Sequence, residues 1–263
     1  AAQTGEPAKQ RCSTMPSNFS TLGLPMNDEN DLVKFATRVA EAADPIQVPG
    51  GHYLHWTSPC GAEVWLQLDE EDDLVGMAPH FFGESQCRVG ITSRIARPDD
   101  TLLDGAFHGW ADPTGDDAQT GVYPFVFDAP DFCQHSTLAI PSIVMVQMAA
   151  FAHEILIFDS PDTFDASQTD EPKFASKSFI PSGLFTPDGE STDPPEAYGI
   201  LTGHIVHTAK KRNDLSGHSY YWALVDSLGG TFDVVIDPEL IENDPKVGGV
   251  ITGSFWLSGR LLR

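Results

Sequence analysis

Apolar residues along this chain recur mostly at a spacing of two, and only one stretch carries a clear helical spacing. From Asn27 to Ala43, the residues Leu32, Val33, Ala36, Val39, Ala40 and Ala43 fall at helical intervals. Asn27 or Asp28 is placed to cap this segment, and acids crowd its first turn, where they favour the positive end of the helix dipole. Pro45 closes it, since proline disfavours helical backbone in the residue before it. Four strand-like segments follow at Gly51–Thr57, Ala62–Leu68, Leu74–Phe82 and Arg88–Ala96. Their breaks are Ser58-Pro-Cys-Gly61, the acidic run Asp69–Asp73 and the 83–86 segment. The acidic run lacks the alternating ligands and central glycine of an EF-hand loop, so it reads as a solvated hairpin turn.

Farther on the pattern weakens. Arg97–Gln119 is aperiodic and reads as irregular, with Gly105-Ala-Phe-His-Gly-Trp110 inside it. Strand patterning resumes at Gly121–Phe127. Thr137–Phe158 is the longest apolar stretch: Ile140–Val146 is β-branched, Met145–Ile155 suits a helix or a buried strand, and we read strand through Phe158. Asp159–Pro195, rich in Asp, Ser, Thr and Pro, reads as a long connection with a short helix near Glu171–Lys177. In the last quarter, Ile200–Ala209 and Ser219–Leu228 read as strands joined through turn chemistry at Lys210–Gly217. Gly229-Gly230 then turns into Thr231–Ile236. A last strand or strand pair runs to Leu262, with Gly253 and Gly259 the expected bulge sites.

Charge divides the chain. Its 263 residues carry a formal net charge of −23, yet the segment from Tyr198 to Arg263 holds six basic and seven acidic residues. The preceding residues are therefore strongly acidic. Such a surface repels a phosphate backbone and an anionic membrane, which makes nucleic acid an unlikely partner. No apolar run reaches the eighteen residues of a membrane-spanning helix. Cys12, Cys60, Cys87 and Cys133 are scattered without a CxxC pair, and reduced thiols in a cytoplasmic protein are expected; a mature exported form fits the same start. The expected organisation is a disordered leader over 1–14, an acidic α+β domain over 15–197 and a β-barrel module over 198–263. The fold class is mainly β, with antiparallel sheets or a barrel and one principal N-terminal helix.

The last module resembles an OB-fold barrel. The likeness rests on a glycine-containing first strand (Gly199-Ile-Leu-Thr-Gly-His-Ile-Val-His207), two meandering strands, a short connection at Pro238–Pro245 and a closing strand led by Val247-Gly-Gly249. It implies a face that binds oligonucleotides or oligosaccharides, or a protein-contact module. Residues 19–83 resemble one module of the vicinal-oxygen-chelate (glyoxalase-like) proteins. That likeness runs through Leu22-Gly-Leu-Pro-Met26, the helix, Tyr53-Leu-His-Trp56 and Pro59-Cys-Gly-Ala-Glu-Val-Trp-Leu66. It implies a paired βαβββ architecture and a divalent metal held by His and Glu, although no second module follows.

Candidate chemistry is sparse. There is no GxSxG elbow, P-loop or dinucleotide fingerprint. His52, His55, His108, His153 and Glu154 are the candidate ligands of a divalent metal such as zinc. His52 and His55, three apart, share a face on a helix but point to opposite faces on a strand. Lys210, Lys211 and Arg212, with Tyr220 and Trp222 on the next strand, are the candidate grip for a ligand: a basic turn beside stacking aromatics. The expected function is a non-catalytic protein acting through protein–protein contact, homo-oligomer formation or a small ligand, with no cofactor. The alternatives are a metal-dependent glyoxalase-like enzyme and an oligonucleotide binder.

Overall fold

The structure is a computed structural model that describes residues 18–25, 29–169, 173–184 and 194–262. The chain is mainly β, with two α-helices among the described residues. Helix α1 (Glu29–Ala42) buries Ala36 and Val39, while Leu32 and Val33 on its flank stay exposed. The expected capping residues Asn27 and Asp28 lie outside the described residues. The short helix α2 is at Pro161–Ser167; of the segment expected to be helical near Glu171–Lys177, residues 173–177 are not helical and the rest lies outside the described residues. Ser160 caps it by accepting from the Thr163 backbone N–H, and Pro161 sits in the first turn where its missing N–H costs nothing.

Four strands form a small antiparallel meander: β1 (Asp44–Val48), β2 (Gly51–Thr57), β3 (Ala62–Leu68) and β4 (Leu74–Phe81). β1 is the edge strand, the place in a sheet where Pro45 does least harm. Pro49 and Gly50 turn it into β2, with Gly50 at φ +87°. The acidic run is indeed a hairpin turn, in which Asp69 Oδ1 accepts from the N–H groups of Glu71 and Asp73 at 2.9 and 3.0 Å. Among the described residues no strand precedes α1, so residues 19–83 read α-β-β-β-β, not βαβββ.

Nine strands form the second sheet: β5 (Cys87–Ile95), β6 (Ala106–Ala111), β7 (Pro124–Asp128), β8 (Ser142–Phe158), β9 (Ser178–Ile180), β10 (Tyr198–Arg212), β11 (Ser219–Ser227), β12 (Gly230–Ile236) and β13 (Val250–Leu262). Its axis is the long antiparallel pair β8–β13, matched from Val250↔Phe158 to Leu262↔Met145. His153 is the extra residue at the register shift opposite Ser254 and Phe255. The last strand is single, and neither Gly253 nor Gly259 is the bulged residue.

Two meanders close onto this pair. β5-β6-β7 starts antiparallel to β8 and ends parallel to β13 at Ser258↔Asp128. β10-β11-β12 starts antiparallel to β13 and ends parallel to β8 at Asp233–Val235. Each circuit is a ring of five strands, and exchanging β8 with β13 converts one connectivity into the other. The rings meet the shared pair at successive positions, so their inward side chains join one core: Phe107, Phe125 and Phe127 with Met148, Ala150, Phe232 and Val234. The strands of the last quarter thus complete their ring only with β8, from the middle of the chain.

Alternation on β8 sends Met148, Ala150 and Ala152 into that core and Ala149 and Phe151 outward. The outward side is covered by the small sheet and α1, packing Trp56, Val64, Leu66, Phe81 and Val39 against Phe151, Tyr220, Trp222 and Val235. No helix among the described residues is long and apolar enough to cross a membrane.

Candidate functional site

Where the small sheet meets the β8–β13 pair, outward positions of the long strands are polar. His80 on β4 projects between Ser258 on β13 and Gln147 on β8. Its Nδ1 lies 2.8 Å from Ser258 Oγ, and its Nε2 lies 2.7 Å from Gln147 Oε1. An amide oxygen only accepts, so Nε2 carries the proton and Nδ1 accepts from the serine hydroxyl. Burial lowers the His80 pKa, with the Glu63 charge opposing, so the ring is neutral at pH 7. Gln147 Nε2 donates onward to Asp233 at 2.7 Å. Asp233 also accepts from Trp222 Nε1 and the backbone N–H groups of Glu84 and Ser85 at 2.8–3.0 Å. A side chain at Gly83 would overlap this carboxylate, so glycine is what lets the 83–85 backbone approach.

The serine–histidine contact has the direction of a nucleophile and its base. However, His80 and Ser258 are 0 % and 1 % exposed, and each polar group is tied to its neighbour. The four residues come from β4, β8, β12 and β13, and they act as a buried polar staple between the two sheets.

A second chain of charge lies alongside. Arg260 Nη1 donates to Glu63 at 3.1 and 3.2 Å, its Nε donates to Asp131 at 3.4 Å, and the guanidinium sits over the rings of Trp65 and Phe82. His55 Nε2 approaches Glu63 to 3.2 Å and His135 Nε2 approaches Asp131 to 3.3 Å, both at ion-pair distance without hydrogen-bond alignment. Burial raises the pKa of both acids. Contact with His55 for Glu63 and with His135 for Asp131, together with the charge of Arg260, outweighs this and leaves each below the ordinary range.

Beside the staple opens a cleft of about 480 Å³. Met77, Ala78 and Pro79 of β4 form one wall, Asp128 to Pro130 at the end of β7 another, and the 97–105 segment a third; Trp256 and Ser258 of β13, with Asn18 and Phe19, line the rest. Arg97 organises the polar side. Its Nη1 donates to Asp128 Oδ1 at 2.8 Å and its Nε to Pro195 O at 3.3 Å. Nη2 is buried with no hydrogen-bond partner among the described residues. Asp128 Oδ2 accepts from Trp256 Nε1 at 2.6 Å. Burial raises the Asp128 pKa, which the Arg97 charge and these hydrogen bonds oppose.

The residues singled out from sequence are not brought together. His52 lies 3.8 Å from Asp72, and His55 stacks on Trp65 at 3.8 Å. His108 Nδ1 lies 2.7 Å from Thr92 Oγ1. His153 Nε2 bonds Asn18 Oδ1 at 2.8 Å, while Glu154 beside it is exposed. Among the described residues no three His, Cys, Asp or Glu side chains converge into a metal-binding group. Lys210 lies over Tyr221 and Lys211 over Trp222, and Arg212 donates to Gly217 O. Tyr220 and Trp222 are 0 % and 7 % exposed and pack under the small sheet, so their ring faces are covered.

Sequence reasoning missed Arg97, Asp128 and Trp256. The one local signal is Asp128-Ala-Pro130, an acid just after a strand and just before a proline turn. In comparisons with known proteins, no family profile, curated protein or solved structure matches the chain.

Proposed function

We propose that this is a non-catalytic binding protein that takes a small ligand in the cleft between the small sheet and the first ring. The observation that carries the reading is Arg97, a lining residue of the cleft: its guanidinium is anchored on two sides, and Nη2 is buried with no hydrogen-bond partner among the described residues. A buried donor left unpaired costs about 1–3 kcal/mol, which a ligand acceptor would recover. The volume lies within the range of small-molecule sites, and the walls combine apolar surface with a set of charged and polar groups. Titration of the protein with a chemically diverse small-molecule set, read by Trp256 fluorescence, tests it. Saturable hits that Arg97→Ala abolishes are expected; hits that map elsewhere, or none, contradict it.

The second ring supports a further reading as an OB-like barrel. In β10-β11-β12-β8-β13 the meander is antiparallel, and its third strand runs parallel to the strand that closes the ring. Under that reading Lys210, Lys211 and Arg212 stand at the end of the first strand, where an oligonucleotide would be gripped. Fluorescence anisotropy with a random oligonucleotide tests this alternative: tight, salt-sensitive binding favours it, whereas the charge of −23 argues for none.

A further inference from the structure

Hydrogen-bond accounting in the cleft narrows the ligand. Arg97 lines the cleft, and its Nη2 has no hydrogen-bond partner among the described residues. The neighbouring carboxylates are held in place but keep acceptor capacity. Among the described residues Asp104 takes Gln67 Nε2 at 2.6 Å on one oxygen and the Thr101 N–H at 3.0 Å on the other. Asp100 takes the Arg97 N–H at 2.7 Å. Each carboxylate oxygen has room for a second donor. One small site therefore presents unmet donors beside unmet acceptors. An ammonium cannot accept from Arg97. A carboxylate or phosphate cannot donate to the acids, and it would face Asp100, Asp104 and Asp128 against a single arginine. A hydroxyl group does both. Trp256, fixed by its hydrogen bond to Asp128 and packed on Phe151 at 4.9 Å, adds a rigid aromatic surface for an apolar ring face.

We propose that the cleft binds an uncharged polyhydroxy ligand, a saccharide by chemical class, with hydroxyls bridging Arg97 and the aspartates and a ring face against Trp256. This rests on the cleft being the binding site, and it draws nothing from the resemblance of the second ring to other barrels. The test follows the Trp256 indole N–H resonance while the intact protein is titrated separately with neutral methyl hexosides and disaccharides, with lysine and with adenosine monophosphate. A neutral saccharide should shift that resonance and saturate. Arg97→Lys, which keeps the charge but loses the second N–H arm, should weaken binding roughly tenfold or more while the variant still unfolds cooperatively and keeps the parent's amide spectrum outside the cleft. Saturation by lysine or by the nucleotide instead would leave the cleft a ligand site and overturn the saccharide class. No shift with any probe overturns both readings. Saccharide binding that is indifferent to Arg97→Lys places the ligand elsewhere and also overturns the proposal.

Discussion

The two rings have the same connectivity and put the same kind of residue to different use. Their third strands read Tyr123-Pro-Phe-Val-Phe-Asp128 and Phe232-Asp-Val-Val-Ile-Asp237. In both, the first, third and fifth residues enter the common core, and a proline and a 3-10 turn follow (Phe132–His135 and Pro238–Leu240). The acids at the matching end diverge. Asp237 accepts from the Glu239 N–H at 3.0 Å, a local cap. Asp128 joins Arg97 to Trp256 at the cleft. Between them, the second position is Pro124 in one ring and the buried Asp233 in the other. The difference lies in what covers each ring. The small sheet lies on the second, so β11 and β12 are buried on both faces and an outward acid there must be fully hydrogen-bonded. The first has no such sheet; Ala106 and Val126 on its outer face pack against Ala197, Leu184 and Trp256, and the cleft opens beside them.

The largest expected effect separates the two acids of the second ring. Asp233→Ala should destabilise by about 3–5 kcal/mol in urea unfolding, because it strands Gln147, Trp222 and two backbone donors in the interior. Asp237→Ala, which loses only a cap, should cost about 0.5–2 kcal/mol. Equal losses would mean that the covering sheet does not create the difference.

Next comes Ala36→Asp on α1. It places an unpaired charge against the buried face of the small sheet and should cost about 2–4 kcal/mol. A melting temperature unchanged by this substitution would detach α1 from the cover of the second ring.

Acid should loosen the seam between the sheets. The folded-state pKa of His80 lies below its unfolded value of about 6.5, so its contribution is complete above that pH and is lost as the pH falls beneath it. Glu63 and Asp131, also lowered, contribute above their unfolded values and lose that contribution at still lower pH. The melting temperature should therefore decline from pH 6.5 downward, and His80→Gln should flatten the upper part of that decline. A parent protein equally stable at pH 7 and pH 5 contradicts this account.

The smallest effect is expected at Lys211, whose ammonium lies over Trp222 at 4.9 Å. Lys211→Ala should cost no more than about 1 kcal/mol by thermal unfolding. A larger loss would show that the rim of the second ring is held by its basic residues and not by the sheet above it.

Much of the small sheet was legible in the sequence. The segments Gly51–Thr57 and Ala62–Leu68 coincide with β2 and β3, the acidic turn is a turn, and the one strong helical period is α1 within two residues. These depend on side-chain period and turn chemistry, which act over neighbouring residues. β6 was not legible. Ala106-Phe-His-Gly-Trp-Ala111 holds two strand formers, Phe107 and Trp110, among Ala, His and Gly in an aperiodic run, and becomes a strand by pairing with β5 and β7 on either side. β1 was hidden because Pro45 reads as a break until the strand is known to lie at an edge.

The sequence by itself determined the mainly β class, the single principal helix and a charge that disfavours polyanions. It did so because spacing, turn residues and net charge are properties of short stretches or of simple sums. Only the tertiary structure decided that the last quarter completes its ring with β8, that Tyr220 and Trp222 face inward under the small sheet, and that the candidate histidines stay apart. It also assembled Arg97, Asp128 and Trp256 from three distant segments. Strand pairing and burial are interactions between residues far apart in the chain, and no local pattern encodes which strand will lie beside which.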